Sequence, residues 1–150
     1  MTIAYLGPKG TFTEIALATY FSNEAVKIPK PSIEDVFQSV IDQESTYGVV
    51  PVENSIEGAV NNTLDQLLER DIYVIGEIKI PINQCLLAKN IQDNEIINVY
   101  SHPQSFAQCR KWINDNIPKS NLIPVLSNSE GAIKVKSSTD ACIGPNILSS

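Results

Sequence analysis

Tyr47-Gly-Val-Val-Pro-Val-Glu-Asn-Ser-Ile-Glu-Gly58 is the stretch on which the reading of this 150-residue chain turns. Val49 to Val52 is a short apolar run of the kind that forms a buried strand. It becomes polar at its carboxyl end, at Glu53, Asn54 and Ser55, and after Gly58 the residues from Ala59 to Leu68 read as an amphipathic helix. In open α/β sheets, ligands bind just outside the carboxyl ends of strands, beside helix N-termini. The polar triplet is therefore a candidate site. The alternative is that Asn54 or Ser55 only caps the following helix, a role both residue types favour, and the spacing leaves the two readings open.

Upstream, Thr2 to Leu6 reads as a first buried strand, closed by the turn Gly7-Pro8-Lys9-Gly10. Thr11-Phe12-Thr13-Glu14 has the form of a capping box opening a helix to about Phe21. The turn lacks the Gly-Lys-Ser/Thr ending of a phosphate-binding loop. It either brings backbone N–H groups and the hydroxyls of Thr11 and Thr13 to an anion, or is a tight strand-to-helix turn. Val26 to Ile28 is a short strand, and Ser32 to Asp35 repeats the capping pattern before a helix with Val36, Phe37, Val40 and Ile41 on one face. With a strand over Tyr47–Val52, the first eighty residues alternate strand and helix as an α/β layered lobe does.

Downstream, Ile72 to Ile80 alternates apolar residues over a long run, which predicts a strand passing from one lobe into another. The expected boundary lies between Lys79 and Asn83, giving lobes of residues 1–80 and 81–150. Ile82 to Ala88 continues in extended form and Ile96 to Tyr100 is a buried strand. Ser101 as N-cap, with Pro103 in the first turn and Gln104 after it, opens a helix carrying Phe106, Gln108, Cys109, Arg110, Trp112 and Ile113. Leu122 to Leu126 is a strand, and Ser127-Asn-Ser-Glu130 is capping chemistry for a helix near 129–136. Ala141 to Gly144 is a last strand, and the residues after it begin a helix. No internal sequence repeat stands out. Hydroxyl or amide side chains thus mark four strand-to-helix junctions: Thr11/Thr13, Asn54/Ser55, Ser101 and Ser127/Ser129. Helix N-termini carry partial positive charge and free donors, so such junctions suit an anionic ligand in a chain with only Arg70 and Arg110 as arginines.

Apolar residues make up 43% and charged residues 19% of the chain, the balance of a globular protein. With 17 acidic and 11 basic residues and a net charge of −6, it lacks the basic face that nucleic acid or an anionic membrane surface requires. The N-terminus shows no secretory signal pattern and no stretch is long enough to span a bilayer, so a cytoplasmic location is expected. Cys85, Cys109 and Cys142 read as reduced core thiols, and with His102 as the one histidine the chain has too few ligands for zinc. No metal or organic cofactor is expected. Serine or cysteine nucleophilic catalysis lacks a nucleophile elbow and a second histidine.

Three motifs carry a family resemblance: Gly7-Pro-Lys-Gly-Thr-Phe-Thr13; Gly48-Val-Val-Pro-Val-Glu-Asn-Ser-Ile-Glu-Gly58 with Thr63-Leu-Asp65; and Tyr100-Ser-His-Pro-Gln-Ser-Phe-Ala-Gln-Cys109. In this order and at these separations they resemble prephenate dehydratase, over nearly the whole chain. The resemblance implies two α/β lobes like those of type 2 periplasmic binding proteins, with the active site in the interlobe cleft. It implies a lyase that converts prephenate to phenylpyruvate with loss of carbon dioxide and water, in the phenylalanine branch of the shikimate pathway. Asn54, Ser101 and Gln108 are the implied active-site residues, with Glu53, Ser55, Thr11 and Thr13 at or beside the substrate. A homo-oligomer is also implied, and phenylalanine as a regulator where a regulatory ACT domain is present.

The chain departs from the family pattern in three places. The Thr-Arg-Phe segment held to act on the leaving hydroxyl is absent, as is the ACT domain. An acidic residue that some members carry after the strand at 122–126 is Ser127 here. These departures read as a truncated catalytic domain. Arogenate as substrate is a close variant. A non-catalytic two-lobed binding module for small anions is the alternative from another class.

Overall fold

The computed structural model describes residues 1–21, 24–54, 58–89 and 95–149, and the chain divides into two compact units, Met1–Ile80 and Pro81–Ser150. In the first, β1 (Thr2–Leu6), α1 (Phe12–Tyr20), β2 (Val26–Lys30), α2 (Ile33–Ile41) and β3 (Tyr47–Val49) follow in order. The sheet order is β2-β1-β3, all parallel, with Ile3 beside both Lys27 and Tyr47. Ile3, Ala4 and Tyr5 in the central strand are fully buried, as a parallel strand covered on both faces must be. Leu17 of α1 closes one core with Ile3 and Tyr5, against Phe21, Ala25, Tyr47 and Val49. On α2, Ile33, Val36 and Phe37 are buried, and the buried Ser39 hydroxyl is paired with that of Ser45 at 2.7 Å.

Helix starts obey local rules where a small polar side chain stands at the cap. Thr11 Oγ1 accepts from Glu14 N at 3.4 Å, and Ser32 Oγ accepts from Asp35 N at 3.1 Å. The central stretch differs from its sequence reading. The strand there ends at Val49, because Pro51 offers no N–H to a ladder and Val52 O instead accepts from Val60 N at 2.8 Å. The chain turns into a two-residue antiparallel ladder, β4 (Glu53–Asn54) against β5 (Gly58–Ala59), before α3 (Asn61–Glu69).

The strand expected over Ile72–Ile80 does not form. Residues 71–80 pair with no strand, and Tyr73, Val74 and Ile75 are 84%, 72% and 63% exposed. Alternating apolar residues make a strand only when a neighbouring strand takes up their N–H and C=O groups, and none does so among the described residues.

The second unit contains β6 (Cys85–Ala88), β7 (Asn98–Ser101), α4 (Pro103–Asn116), β8 (Asn121–Pro124), α5 (Asn128–Lys134), β9 (Asp140–Gly144) and a 3₁₀ turn at Asn146–Ser149. Its sheet order is β6-β9-β7-β8, parallel except for the β6–β9 pair. Ile96, Val99, Ile113, Ala141 and Ile143 form the core, with Leu86, Phe106 and Cys109 packed on it. The cap of α4 is His102, one residue later than read from the sequence. Its Nδ1 accepts from Gln104 N at 3.2 Å, while Ser101 is held in the β7 ladder.

Gly131 sets how closely α5 approaches β7. A Cβ there would lie 3.0 Å from Tyr100 O and 3.2 Å from Tyr100 C, both backbone atoms. Gly131→Val is expected to destabilise the second unit by about 1–3 kcal/mol through overpacking, read as a lower urea midpoint with unchanged slope.

Both units use one arrangement. A first strand has its successor on one side and the third strand on the other: β2-β1-β3 in the first unit, β8-β7-β9 in the second. A reversal of strand order of this kind opens a crevice at the carboxyl ends of the first and third strands.

Candidate active site

In the first unit this switch point lies between the ends of β1 and β3. The turn after β1 is drawn close to the sheet, with Gly7 N donating to Lys30 O at 2.9 Å and Gly10 at φ +81°. The Thr11 hydroxyl lies 3.3 Å from Leu6 O, to which it donates, and accepts from Glu14 N. Glu14 Oε2 accepts from Gly10 N at 2.6 Å, so the carboxylate folds back over the turn and bonds one residue before the cap rather than the cap N–H of a capping box. Thr11 is thus engaged in the helix cap, and Thr13 is half-buried in the first turn. Beneath them, burial and then the charge of Glu14 push the Tyr5 phenol up to about 12, and it stays protonated.

After β3, Asn54 is half-buried and pairs with Gly58, while Glu53 is exposed. Ser55 lies outside the described residues. The cap of α3 is Val60, with no side-chain cap hydrogen bond, so Asn54 does not serve as the helix cap. Thr63, fully buried, donates from Oγ1 to Pro51 O at 2.6 Å and fastens the first turn of α3 to the chain leaving β3.

In the second unit the switch point lies between the ends of β7 and β9. Ser101 is fully buried, and its Oγ is 2.8 Å from Ile143 O and 2.9 Å from Asn128 Oδ1. The hydroxyl therefore ties the end of β7 to β9 and to the start of α5. Asn128 Oδ1 also accepts from His102 N at 3.0 Å, and Asn128 Nδ2 donates to Ser105 Oγ at 2.9 Å. Gln84 Nε2 lies 3.2 Å from both Ser105 Oγ and Gln108 Oε1. Ser127 caps α5, accepting from Glu130 N at 3.1 Å.

Ser101 and Gln108 are thus joined through one polar chain that includes Gln84, Ser105 and Asn128, three residues the sequence reading did not assign to the site. In the run Ser127 to Glu130 the sequence marks Ser127 and Ser129 as a junction suited to an anion but not Asn128 between them, and nothing local marks Gln84. Burial raises the Cys109 thiol and pushes that of Cys142 up to about 11, which keeps both protonated and unreactive at neutral pH. Among the described residues no His, Cys, Asp and Glu side chains gather in a group able to hold a metal ion, and no helix is long and apolar enough to cross a membrane.

Polar side chains at the carboxyl ends of parallel strands, beside helix N-termini, place the chain among α/β proteins whose sites sit at strand switch points. The particular family follows from comparison. Residues 3–149 match the family model of prephenate dehydratase, and the chain belongs to that family. The bifunctional chorismate mutase/prephenate dehydratase of Pseudomonas aeruginosa is 44% identical over 138 residues, which are 91% of this chain and 38% of that protein. The crystal structure of prephenate dehydratase from Staphylococcus aureus superposes with a TM-score of 0.82 at 38% identity, over 97% of this chain and 55% of that one. Prephenate dehydratase from Arthrobacter aurescens in complex with L-Phe gives a TM-score of 0.77 at 28% identity, over 99% and 51%. The chain therefore spans about half the length of these solved structures and less of the bifunctional relative.

Proposed function

We propose that this chain carries prephenate dehydratase chemistry: prephenate, with one proton, becomes phenylpyruvate, carbon dioxide and water. The observation that carries this reading is the family match over residues 3–149, together with polar side chains at the strand switch points. The ring carboxylate leaves as carbon dioxide, its bonding electrons enter the ring, and the ring hydroxyl departs with a proton as water. Aromatisation supplies the driving force. The protein's tasks are to hold a dianion in place, to donate a hydrogen bond or proton to the departing hydroxyl, and to exclude water.

We assign Asn54 and Gln108 to substrate contact, since an amide offers donors to a carboxylate without a competing charge. Ser101, with its hydroxyl engaged inside the second unit, holds the strand end beneath Gln108's helix. Glu53, Thr11 and Thr13 complete the assignment at the first unit's switch point, and Ser55, which lies outside the described residues, is assigned to the substrate with them. The reaction needs no metal or organic cofactor, and the setting is a cytoplasmic biosynthetic one. Assembly into homo-oligomers and feedback by phenylalanine, the latter through a regulatory domain, extend the same reading to the whole protein.

The test is phenylpyruvate formation from prephenate by the purified chain near neutral pH, against a no-protein control that measures spontaneous breakdown. The expected result is formation above the control. Saturable binding with prephenate recovered unchanged supports the anion-binding module instead.

A further inference from the structure

The hydrogen bonds around Ser105 have a direction, and the direction has an origin. The backbone N–H of His102 can only donate, so the oxygen of the Asn128 amide faces it at 3.0 Å and the nitrogen faces Ser105 Oγ at 2.9 Å. Ser105, buried in the first turn of α4, donates from Oγ to Asn128 Oδ1 at 3.2 Å, which leaves the oxygen to accept from Gln84 Nε2 at 3.2 Å. The same Gln84 nitrogen donates to Gln108 Oε1 at 3.2 Å. That bond commits the oxygen end of the Gln108 amide and turns its nitrogen end away from Gln84. A dianion calls for donors, and without this bond the Gln108 side chain is free to leave the one rotamer that presents its nitrogen.

We propose that Gln84 is a positioning residue that fixes the Gln108 amide with its donor end toward a carboxylate of the substrate, itself held by Ser105 and Asn128. The inference rests on the assignment of Gln108 to prephenate and names what orients it. A second observation separates this role from simple support of the fold. Gln84 Oε1 is buried and has no hydrogen-bond partner among the described residues. A buried acceptor left unpaired costs stability, and an apolar side chain of the same shape relieves that cost. The Gln84 amide thus makes its hydrogen bonds through its nitrogen alone.

A double-mutant cycle on this chain tests the proposal, with prephenate as the titrant in calorimetry at neutral pH and the thermal midpoint recorded for each protein. Gln84→Met is expected to keep or raise the midpoint and to weaken prephenate binding at least about five-fold, the scale of re-ordering a Gln108 side chain freed to sample several rotamers. Placed in a Gln108→Ala background, Gln84→Met is expected to change binding by less than about two-fold, because its effect runs through Gln108. Gln84→His, which keeps an N–H donor, is expected to bind within about three-fold of the parent and serves if the Met variant folds poorly.

Binding by Gln84→Met equal to the parent, while Gln108→Ala weakens it, overturns the positioning role and leaves the site assignment standing. An undiminished effect of Gln84→Met in the Gln108→Ala background also overturns it. Unchanged binding in Gln108→Ala, or no binding by the parent, overturns the site assignment and the positioning role together.

Discussion

Asp140→Ala is expected to destabilise the second unit by on the order of 3 kcal/mol and to flatten its loss of stability in acid. Asp140 is buried at the start of β9. Its Oδ2 accepts from Ser137 N at 3.0 Å and Lys136 N at 3.2 Å, and its Oδ1 accepts from Asn98 Nδ2 at 3.1 Å. Asn98 and Asp140 are register partners across β7 and β9, so one carboxylate closes the turn after α5 and sets where β9 joins the sheet. The backbone N–H of Ser137, and then the Asn98 amide, hold its carboxyl down from 3.8 to about 2.

Between these two values the unfolded chain binds the proton and the folded chain does not. Stability from Asp140 is therefore present above about pH 4 and is lost as pH falls toward 2. Urea midpoints measured between pH 6 and pH 2 check both parts. The parent should lose stability through the lower half of that range, and the Ala variant, weaker at neutral pH, should show a shallower fall there. Parallel curves for the two proteins would refute the assignment.

How much of this was legible in the sequence follows from how far each feature reaches along the chain. The caps at Thr11, Ser32 and Ser127 bond three residues ahead, and a short sequence pattern is enough to show them. Alternation of apolar strands and amphipathic helices placed both α/β sheets, because each element carries its own period. The cap of α4 was misplaced by one residue. Ser101 is the better cap by residue type, but the β7 ladder and the bond to Ile143 O claim it. The segment 72–80 has strand periodicity and no ladder, a property of its neighbours rather than of its own residues. Asn128 and Ser105 stand 23 residues apart, and Gln84 and Gln108 24 apart. Only the sheet order β6-β9-β7-β8 brings these contacts about, so no spacing rule announces them. For the same reason the shared strand order of the two units left no repeat in the sequence.

Asn54→Ala is expected to weaken prephenate binding or turnover by about 10- to 100-fold, the scale of one or two hydrogen bonds to a charged group, while shifting the thermal midpoint by less than about 2 °C. The two halves of this expectation have separate grounds. Asn54 stands in the backbone ladder with Gly58. Neighbouring Val60, not Asn54, stands at the cap of α3, so truncating the Asn54 side chain leaves the helix start intact. The loss of function is expected because Asn54 lies just beyond β3 at the strand switch point, where a neutral amide can donate to a carboxylate. Asn54→Asp sharpens the test. It keeps the shape but replaces the donor with a second anion, so it should bind prephenate more weakly than the Ala variant, and increasingly so as salt is lowered. A collapse of the midpoint in Asn54→Ala with full activity per folded molecule would make Asn54 structural. Equal binding by the Ala and Asp variants would place the substrate carboxylates elsewhere.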